Sequence, residues 1–338
     1  MGEELERKTN EAVGRTPIKE EEMPISTTAL TRGAEGLNER KPRQNKAERP
    51  FSPPGLGLEA SDYVKSALEA HYLRLDQDPD YKERFEEYRL YQQEETIARE
   101  RALRAREWTG PAPIRVRGSE IKSCARQTFF RLIKAPGKTI GKDNPHWKLA
   151  ARFGEVLHGE LEIALKFLGL VERSEYHVRS PTNDYVGRVD IRLKNAPVIL
   201  DIKTVKPEDF KEGPWAEKVP GYIEQVTGYA YLEGCTIGAV LMVDRSSGRL
   251  MEFSWEVSPE AGEAVLKRAS WIVGAAKARQ VPPAEYREAN RYDFRCHNFC
   301  PFEELCTRQQ DGSVQIALDE GRDLRELIVG GGKSRWDN

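Results

Sequence analysis

The chain has 338 residues, of which 32% are charged, and its formal net charge at pH 7 is −2. That length suffices for one large domain with a full hydrophobic core, and the near-balanced charge neither indicates nor excludes a nucleic-acid partner. No apolar run approaches the roughly 20 residues of a membrane span, and the acidic, polar N-terminus does not resemble a signal peptide. We therefore expect a soluble, cytoplasmic protein without a membrane partner.

The chain divides into four stretches of different composition. Residues 1–58 are rich in Pro, Gly and charged residues with few aromatics, which predicts a disordered segment. Residues 59–110 combine helical apolar spacing with charged runs and predict a charged helical arm. After a proline-rich boundary, residues 111–309 predict the core domain, and residues 310–338 predict a tail.

The core alternates patterns of helix and strand. In chain order they predict helices at Glu120–Lys134 and Trp147–Leu168, a strand at Glu175–Ser180, a hairpin between Tyr185 and Lys203, a helix at Tyr222–Glu233, strands at Ile237–Val243 and Arg249–Val257, and a helix at Pro259–Arg279. Ser119 is the expected N-cap of the first helix, and Phe153 is expected on the core face of the second.

Two acidic residues lie within the predicted hairpin. Its first strand is apolar at alternate positions, and its second opens with the continuous apolar run Val198–Leu200, which is typical of a strand covered on both faces. Asp190 and Asp201 are therefore expected where an unpaired charge is costly to bury. A divalent cation bound by both carboxylates explains this placement best.

Hydrolysis of a phosphodiester is a chemistry that such a site can perform. It needs charge stabilisation on the phosphate and a deprotonated water, and Mg²⁺ or Mn²⁺ supplies both. His158 and Glu162, four residues apart on one helix, are candidates to join the two aspartates at the ion. Lys203, two residues after Asp201, is expected on the same strand face, where it could orient water or neutralise charge. A structural Asp201–Lys203 ion pair is the alternative.

A basic stretch precedes this region. Residues 115–134 hold six basic residues against one acid, Glu120, which is typical of a surface that contacts a polyanion. We take Lys122, Arg126 and Arg131 from this stretch as candidate DNA contacts.

Cysteines form another cluster. Cys296, Cys300 and Cys306 fall within eleven residues, a strong signal of a metal site in an intracellular chain. Cys124 lies alone within the basic stretch. Cys235, near the end of the helix at Tyr222–Glu233, is expected to be an ordinary buried cysteine.

Four motifs follow one another in a fixed order. They are Gly154-x3-His158-x3-Glu162, Gly187-Arg188-Val189-Asp190, Asp201-Ile202-Lys203 and Gln225-x3-Tyr229. In this order, residues 115–306 resemble the PD-(D/E)xK nucleases of the RecB-like branch. The resemblance implies an α/β fold with a restriction-endonuclease-like mixed sheet flanked by helices.

The same resemblance implies a role for each motif residue. The implied metal ligands are His158, Asp190, Asp201 and the Ile202 carbonyl, with Glu162 as a further candidate. Lys203 would be the catalytic lysine, and Gln225 with Tyr229 would orient Lys203 and the DNA backbone.

Iron–sulfur members of this branch, the AddB-type helicase–nuclease subunits and the CRISPR-adaptation exonucleases, have one cysteine before the His motif and three after the core. Cys124 precedes the motif here, and Cys296, Cys300 and Cys306 follow, so the resemblance implies a 4Fe-4S cluster that joins the two ends of the core. Three residues separate Cys296 from Cys300, where the family usually has two. Zn²⁺ is the competing metal.

We therefore expect a Mg²⁺- or Mn²⁺-dependent DNA nuclease, most simply an exonuclease acting on single strands or DNA ends. The sequence contains no helicase P-loop, so unwinding would come from a helicase or a recombination or replication partner. Two alternatives stay open. One is a structure-specific endonuclease on the same core, and the other is a non-catalytic DNA-binding or assembly protein with a structural zinc site.

Overall fold

The computed structural model describes residues 63–104, 114–138, 145–205, 220–285, 287–288, 291–292, 296 and 299–329. The predicted disordered segment 1–58 and the end of the predicted tail lie outside these residues. The helices are α1 (Tyr63–Gln77), α2 (Pro79–Arg104), α3 (Ala125–Leu132), α4 (Pro145–Phe167), α5 (Pro220–Leu232), α6 (Pro259–Ala278), α7 (Glu303–Arg308), α8 (Ser313–Asp319) and α9 (Arg325–Val329). Within the described ranges, no helix is both long and apolar enough to cross a membrane.

One mixed sheet organises the fold. Its strands are β1 (Val116–Arg117), β2 (Val171–Arg179), β3 (Tyr185–Leu193), β4 (Val198–Val205), β5 (Ile237–Asp244) and β6 (Leu250–Glu256), and a separate short hairpin pairs β7 (Arg287–Glu288) with β8 (Arg291–Tyr292). The order is β1-β3-β4-β5-β6, with β2 paired to β3. β4 and β5 run parallel, whereas β3 is antiparallel to both β2 and β4. The predicted mixed sheet flanked by helices is confirmed at this level.

Hydrophobic clusters cover both faces of the sheet. Successive side chains of a strand point to opposite faces, so Val240 and Met242 of β5 join one cluster while Leu241 and Val243 join the other. Helices α3, α5, α6, α7 and α8 contribute to the first cluster, and α1, α2 and α4 contribute to the second. The strands at the centre are therefore covered on both sides, as the apolar run at the start of β4 predicts.

The helices of the predicted arm pack against this sheet. Leu68 and Phe85 are buried in the second cluster. The Glu252 carboxylate of β6 accepts hydrogen bonds from the main-chain N–H groups of Val64 and Lys65, at 2.8 and 2.9 Å, and so caps the start of α1. The first helix thus begins on the sheet itself.

Two sequence predictions of local structure are wrong. The helix expected from Glu120 starts at Ala125 with Cys124 as its N-cap, not Ser119, and a short 3-10 turn at Gly118–Glu120 precedes it. The main-chain N–H of Ala125 donates to Glu285 at 2.8 Å, so a residue far along the chain fixes this helix start. Phe153, expected in the core, is 57% exposed.

Candidate metal centre

The centre lies where the β3–β4 hairpin opens. Backbone pairing of these strands ends at Ile191 and Leu200. Beyond that point the main-chain N–H of Ile202 donates to Oδ2 of the Asp190 side chain at 2.8 Å instead of to a backbone carbonyl of β3. The two strands therefore diverge at the position where each carries an aspartate.

Helix α4 brings His158 to this opening. Its Nε2 atom lies 3.0 Å from Asp190 Oδ2, and its Nδ1 atom lies 3.6 Å from Glu175 Oε1 of β2. Ligand atoms of these three residues lie within 4.8 Å of one another, so they form a group that could hold a metal ion. Gly154, one turn earlier on α4, lets the helix approach β4, because a Cβ there would be 3.0 Å from Thr204 Oγ1.

Asp201 forms the buried floor of the centre. The residue is 1% exposed, and Lys203 Nζ lies 2.6 Å from its Oδ2 atom. The side-chain amide of Gln225 donates to Oδ1 at 3.1 Å. The Lys203 ammonium group is therefore the partner of Oδ2 among the described residues. A buried carboxylate oxygen of this kind is suited to a cation ligand.

Gln225 and Tyr229 of α5 support Asp201 from inside the protein. The Gln225 amide also donates to the Tyr229 hydroxyl at 3.3 Å, and both residues are buried. The Tyr229 ring fills the space beside Gly187 and Gly118, where a Cβ would lie 2.0 and 2.2 Å from ring or hydroxyl atoms. These residues thus orient Asp201, whereas the sequence predicts that they orient Lys203 and the DNA backbone.

The electrostatics of the centre favour a bound cation. Burial raises the pKa of Asp201 above its ordinary range, although Lys203 opposes this effect. Burial also opposes ionisation of Asp190, but His158 and Lys203 outweigh it and hold the Asp190 pKa below its ordinary value. Burial opposes the charge on Lys203 as well, and the two aspartates raise its pKa overall. A divalent ion would offset the cost of ionising the buried Asp201 carboxylate beside the half-buried Asp190 carboxylate.

Among the predicted ligands, Glu162 takes a different place. Its carboxylate pairs with Lys166 at 2.9 Å, and Lys166 also donates to Gln92. Glu175 instead joins His158 and Asp190. The sequence patterns assign Glu175 no role. Its backbone φ of 54° within β2 departs from regular strand geometry, and strand periodicity does not predict such a departure.

The predicted DNA contacts separate into two kinds. Lys122 lies beside the centre, with its Nζ 4.4 Å from the Tyr222 ring centroid; burial lowers its pKa, and the charge on Lys203 adds to this effect. Arg126 donates to the Pro282 carbonyl at 2.8 Å and to Cys306 Sγ at 3.4 Å. Arg131 forms an ion pair with Glu120 at 2.6 Å. Both guanidinium groups are thus engaged within the protein, which does not favour a role in holding phosphate.

The four cysteines that bracket the core lie near one another. Burial raises the pKa of the Cys300 thiol to about 12, and the neighbouring thiols of Cys296, Cys124 and Cys306 add to this effect. Cys235 is buried after α5, where its thiol donates to the Glu233 carbonyl at 3.9 Å. Cys124, Cys296 and Cys306 thus lie close enough to Cys300 for their charges to interact, although their sulfur atoms do not form a group within 4.8 Å of one another in the described residues.

No protein-family model matches the chain, and no curated protein matches its sequence. Among solved structures, the chain is similar to SSO0001, with 16% identity, 58% of this chain and 88% of that chain covered, and a TM-score of 0.38. It is also similar to the alkaline exonuclease LHK-Exo of Laribacter hongkongensis, with 14% identity, 49% of this chain and 89% of that chain covered, and a TM-score of 0.37. A third similar structure is a phage-related exonuclease of Haemophilus somnus 129PT, with 14% identity, 50% of this chain and 96% of that chain covered, and a TM-score of 0.36.

Proposed function

We propose that the chain is a metal-dependent nuclease that hydrolyses phosphodiester bonds in DNA. One observation carries the proposal: a buried Asp201–Lys203 pair lies next to an Asp190–His158 pair at the opening of a single hairpin. An isolated structural ion pair needs neither a second, half-buried carboxylate nor an imidazole beside it. Carboxylates, an imidazole and an ammonium group together provide the ligands and the charge that phosphodiester hydrolysis requires.

The donor set fits Mg²⁺ or Mn²⁺. His158, Asp190 and Asp201 would hold the ion, with the Ile202 carbonyl as a further ligand, because hard oxygen atoms suit both ions and an imidazole suits Mn²⁺. When bound, the ion supplies charge stabilisation on the phosphate and lowers the pKa of water. Glu162 is the weakest candidate, since Lys166 already neutralises it.

Lys203, Gln225 and Tyr229 have separate roles in the proposed reaction. The Lys203 ammonium group is placed to orient the attacking water and to neutralise negative charge that develops on the phosphate. Gln225 holds the Asp201 carboxylate in one orientation through a 3.1 Å hydrogen bond. Tyr229 restrains Gln225 in turn, so the catalytic strand is supported from its buried side.

A pair of cations favours a phosphate substrate. The Nζ atoms of Lys122 and Lys203 lie 4.4 and 5.3 Å from the centroid of the Tyr222 ring, and burial, followed by the charge on Lys203, lowers the pKa of Lys122. Two neighbouring ammonium groups repel each other, and the Asp201 carboxylate, whose charge acts to raise the pKa of both lysines, offsets part of this repulsion. A DNA backbone phosphate at this position would relieve the repulsion.

The cysteines support a finer proposal. We infer that Cys124, Cys296, Cys300 and Cys306 hold a 4Fe-4S cluster that joins the start of the core to its end, with Zn²⁺ as the competing metal. From this arrangement and the order of the motifs we assign the chain to the RecB-like branch. We propose that it acts as an exonuclease on single strands or DNA ends, together with a separate helicase or recombination protein.

Cleavage of end-labelled DNA tests the nuclease proposal. Single-stranded and double-stranded substrates are incubated with Mg²⁺ or Mn²⁺ and wild-type protein, Asp201→Ala or Lys203→Ala. We expect both variants to fold and to lose cleavage, whereas Lys194→Ala, an exposed lysine at the hairpin turn, keeps wild-type activity. Full activity in the Asp201 and Lys203 variants would refute the proposal. Cleavage of closed circular DNA would identify an endonuclease on the same core.

A further inference from the structure

The main chain is fixed on both sides of Lys122, which lies in the turn between β1 and α3. Before Lys122, the carbonyl of Ile121 accepts a hydrogen bond from the Nε atom of Arg268 at 3.1 Å. After Lys122, the main-chain N–H of Ser123 donates to the Glu120 carbonyl at 2.9 Å. Because the two peptide groups that flank a residue set its backbone angles, these contacts fix the direction in which the Lys122 side chain leaves the main chain.

A buried ion pair holds this turn from α6. The side chains of Arg268, on α6, and of Glu285 are each 10% exposed, and the guanidinium donates two hydrogen bonds to the carboxylate. Arg268 also donates to the Ser123 carbonyl at 3.1 Å, and Glu285 accepts the main-chain N–H of Ala125 at 2.8 Å. The pair therefore provides partners for main-chain groups just before and at the start of α3, and these contacts offset part of the cost of burying two charges.

The Lys122 side chain extends from this turn to the metal centre. Its aliphatic part packs on Gly221 at the start of α5, where a Cβ would lie 2.2 Å from Lys122 Cδ. Its Nζ atom lies 4.4 Å from the Tyr222 ring centroid, and Nζ of Lys203 lies 5.3 Å from the same centroid. Lys122 thus leaves a fixed turn, passes over a glycine and ends beside the proposed catalytic lysine, where a cation can contact a backbone phosphate.

We propose that Arg268 is a positioning residue for DNA binding. It holds the turn at residues 121–123 and so directs the Lys122 ammonium group to a DNA backbone phosphate next to the metal centre. Arg268 is buried, so it acts through Lys122 and not by contacting DNA. The planar guanidinium is required, because a lysine ammonium cannot hold a carboxylate and two separate carbonyls in one fixed geometry. This inference rests on the proposed function, since it assigns Lys122 to the same DNA.

A double-mutant cycle on DNA affinity tests the inference. Fluorescence anisotropy of a labelled single-stranded oligonucleotide, without added divalent metal, gives Kd for wild-type protein, Lys122→Ala, Arg268→Lys and the double variant. We expect Lys122→Ala to weaken binding about tenfold and to reduce the slope of log Kd against log salt concentration by about 0.7. Arg268→Lys should weaken binding in the same direction, and it should add no further loss in the Lys122→Ala background.

A matched control and a second variant complete the design. Lys267→Arg also exchanges one cation for another on α6, but Lys267 pairs with Glu263 at the surface, so we expect wild-type affinity. Should Arg268→Lys fail to fold, Glu285→Gln keeps an oxygen acceptor for the Ala125 N–H and weakens the hold on Arg268. We expect its smaller loss of affinity to depend on Lys122 in the same way.

The outcomes distinguish this inference from the nuclease proposal. If Arg268→Lys binds DNA as tightly as Lys267→Arg, the positioning role alone is wrong. A loss of affinity in Arg268→Lys that is as large without Lys122 as with it would also overturn that role, because the ion pair would then only stabilise the fold. If Lys122→Ala has wild-type affinity, the phosphate contact of Lys122 is wrong and the inference fails with it. If wild-type protein binds no DNA, the nuclease proposal itself is wrong.

Discussion

The main-chain N–H of Ile202 donates a hydrogen bond to the Asp190 carboxylate across 2.8 Å, from one strand of the hairpin to the other. Asp190 therefore replaces a backbone acceptor at the point where strand pairing stops. The same oxygen, Oδ2, lies 3.0 Å from His158 Nε2. The Asp190 side chain thus links the two strands and also contacts His158, the candidate metal ligand on α4. Substitutions can separate this structural role from the proposed chemical one.

Asp190→Asn separates these two roles. An asparagine keeps an oxygen acceptor for the Ile202 N–H but loses the charge, so we expect near-wild-type stability with loss of Mn²⁺ binding and cleavage. Asp190→Ala removes the acceptor as well and leaves a buried N–H unsatisfied, at a cost of about 1–3 kcal/mol. Urea unfolding of both variants measures the difference. Equal stability of the two would contradict the structural role.

Gly187 is required by the Tyr229 ring. A Cβ at this position would lie 2.0 Å from Tyr229 Cε1, so Gly187→Ala must displace the ring that supports Gln225. We expect destabilisation of about 1–3 kcal/mol, the usual cost of overpacking, together with reduced cleavage. Gly159→Ala in α4 is the control: a Cβ there meets nothing within 4 Å, and alanine stabilises a helix interior by about 0.5–1 kcal/mol. If urea unfolding showed that both substitutions change the free energy of unfolding in the same direction, the proposed packing of Tyr229 against Gly187 would be wrong.

Glu252 anchors α1 to the sheet. Its carboxylate accepts hydrogen bonds from Val64 and Lys65 at the positive end of the helix dipole. Glu252→Gln removes the charge from a buried cap and is expected to lower the free energy of unfolding by about 1–3 kcal/mol. Glu256→Gln, at the exposed end of the same strand, is the control and is expected to change little. Hydrogen exchange of α1 amides should rise in Glu252→Gln alone.

The cysteine site predicts a contrast between two buried cysteines. Cys124→Ser removes one of the four thiols proposed to hold the metal, whereas Cys235→Ser alters a thiol outside that group. We expect Cys124→Ser to lose bound iron and sulfide and the visible absorbance of a cluster, and Cys235→Ser to keep them. Metal analysis of purified protein measures both. Zinc without sulfide in the wild-type protein would establish the competing metal, and no metal in any preparation would contradict the site.

Asp244 predicts a specific acid dependence of stability. The hydroxyls of Ser247 and Ser246 donate to its carboxylate and lower its pKa from 3.8 to about 2. Because the folded-state pKa is depressed, this contribution is present above the unfolded-state value and is lost as pH falls from about 4 towards 2. Asp244→Asn should therefore lose less stability than wild type over that interval. Thermal melts at several pH values measure it, and parallel curves for the two proteins would oppose the assignment.

Local patterns in the sequence predict much of this centre. Asp190, Asp201 and Lys203 stand out because charged residues interrupt apolar strands, and strand periodicity places Asp201 and Lys203 on one face. The structure brings them together with His158, although their catalytic roles stay predictions. The same periodicities predict the positions of the core strands and helices, and most predicted ends lie within a few residues of the observed ends.

What the sequence does not predict depends on distant contacts. Glu175 joins His158 because of a left-handed backbone within β2, which periodicity cannot show. The start of α3 is set by Glu285, 160 positions away, so Cys124 caps a helix instead of lying within one. The local charge predicts that Arg126 contacts DNA, but in the structure its guanidinium group donates a hydrogen bond to Cys306. Each difference arises where tertiary contacts override a local preference.

Anomalous diffraction from crystals soaked in Mn²⁺ tests the central claim most directly. We predict a manganese peak between His158 Nε2 and the carboxylates of Asp190 and Asp201, with Lys203 displaced from its 2.6 Å contact with Asp201, and no such peak in Asp190→Asn crystals. An intact Asp201–Lys203 ion pair with no manganese at His158 in the soaked wild-type crystal would contradict it.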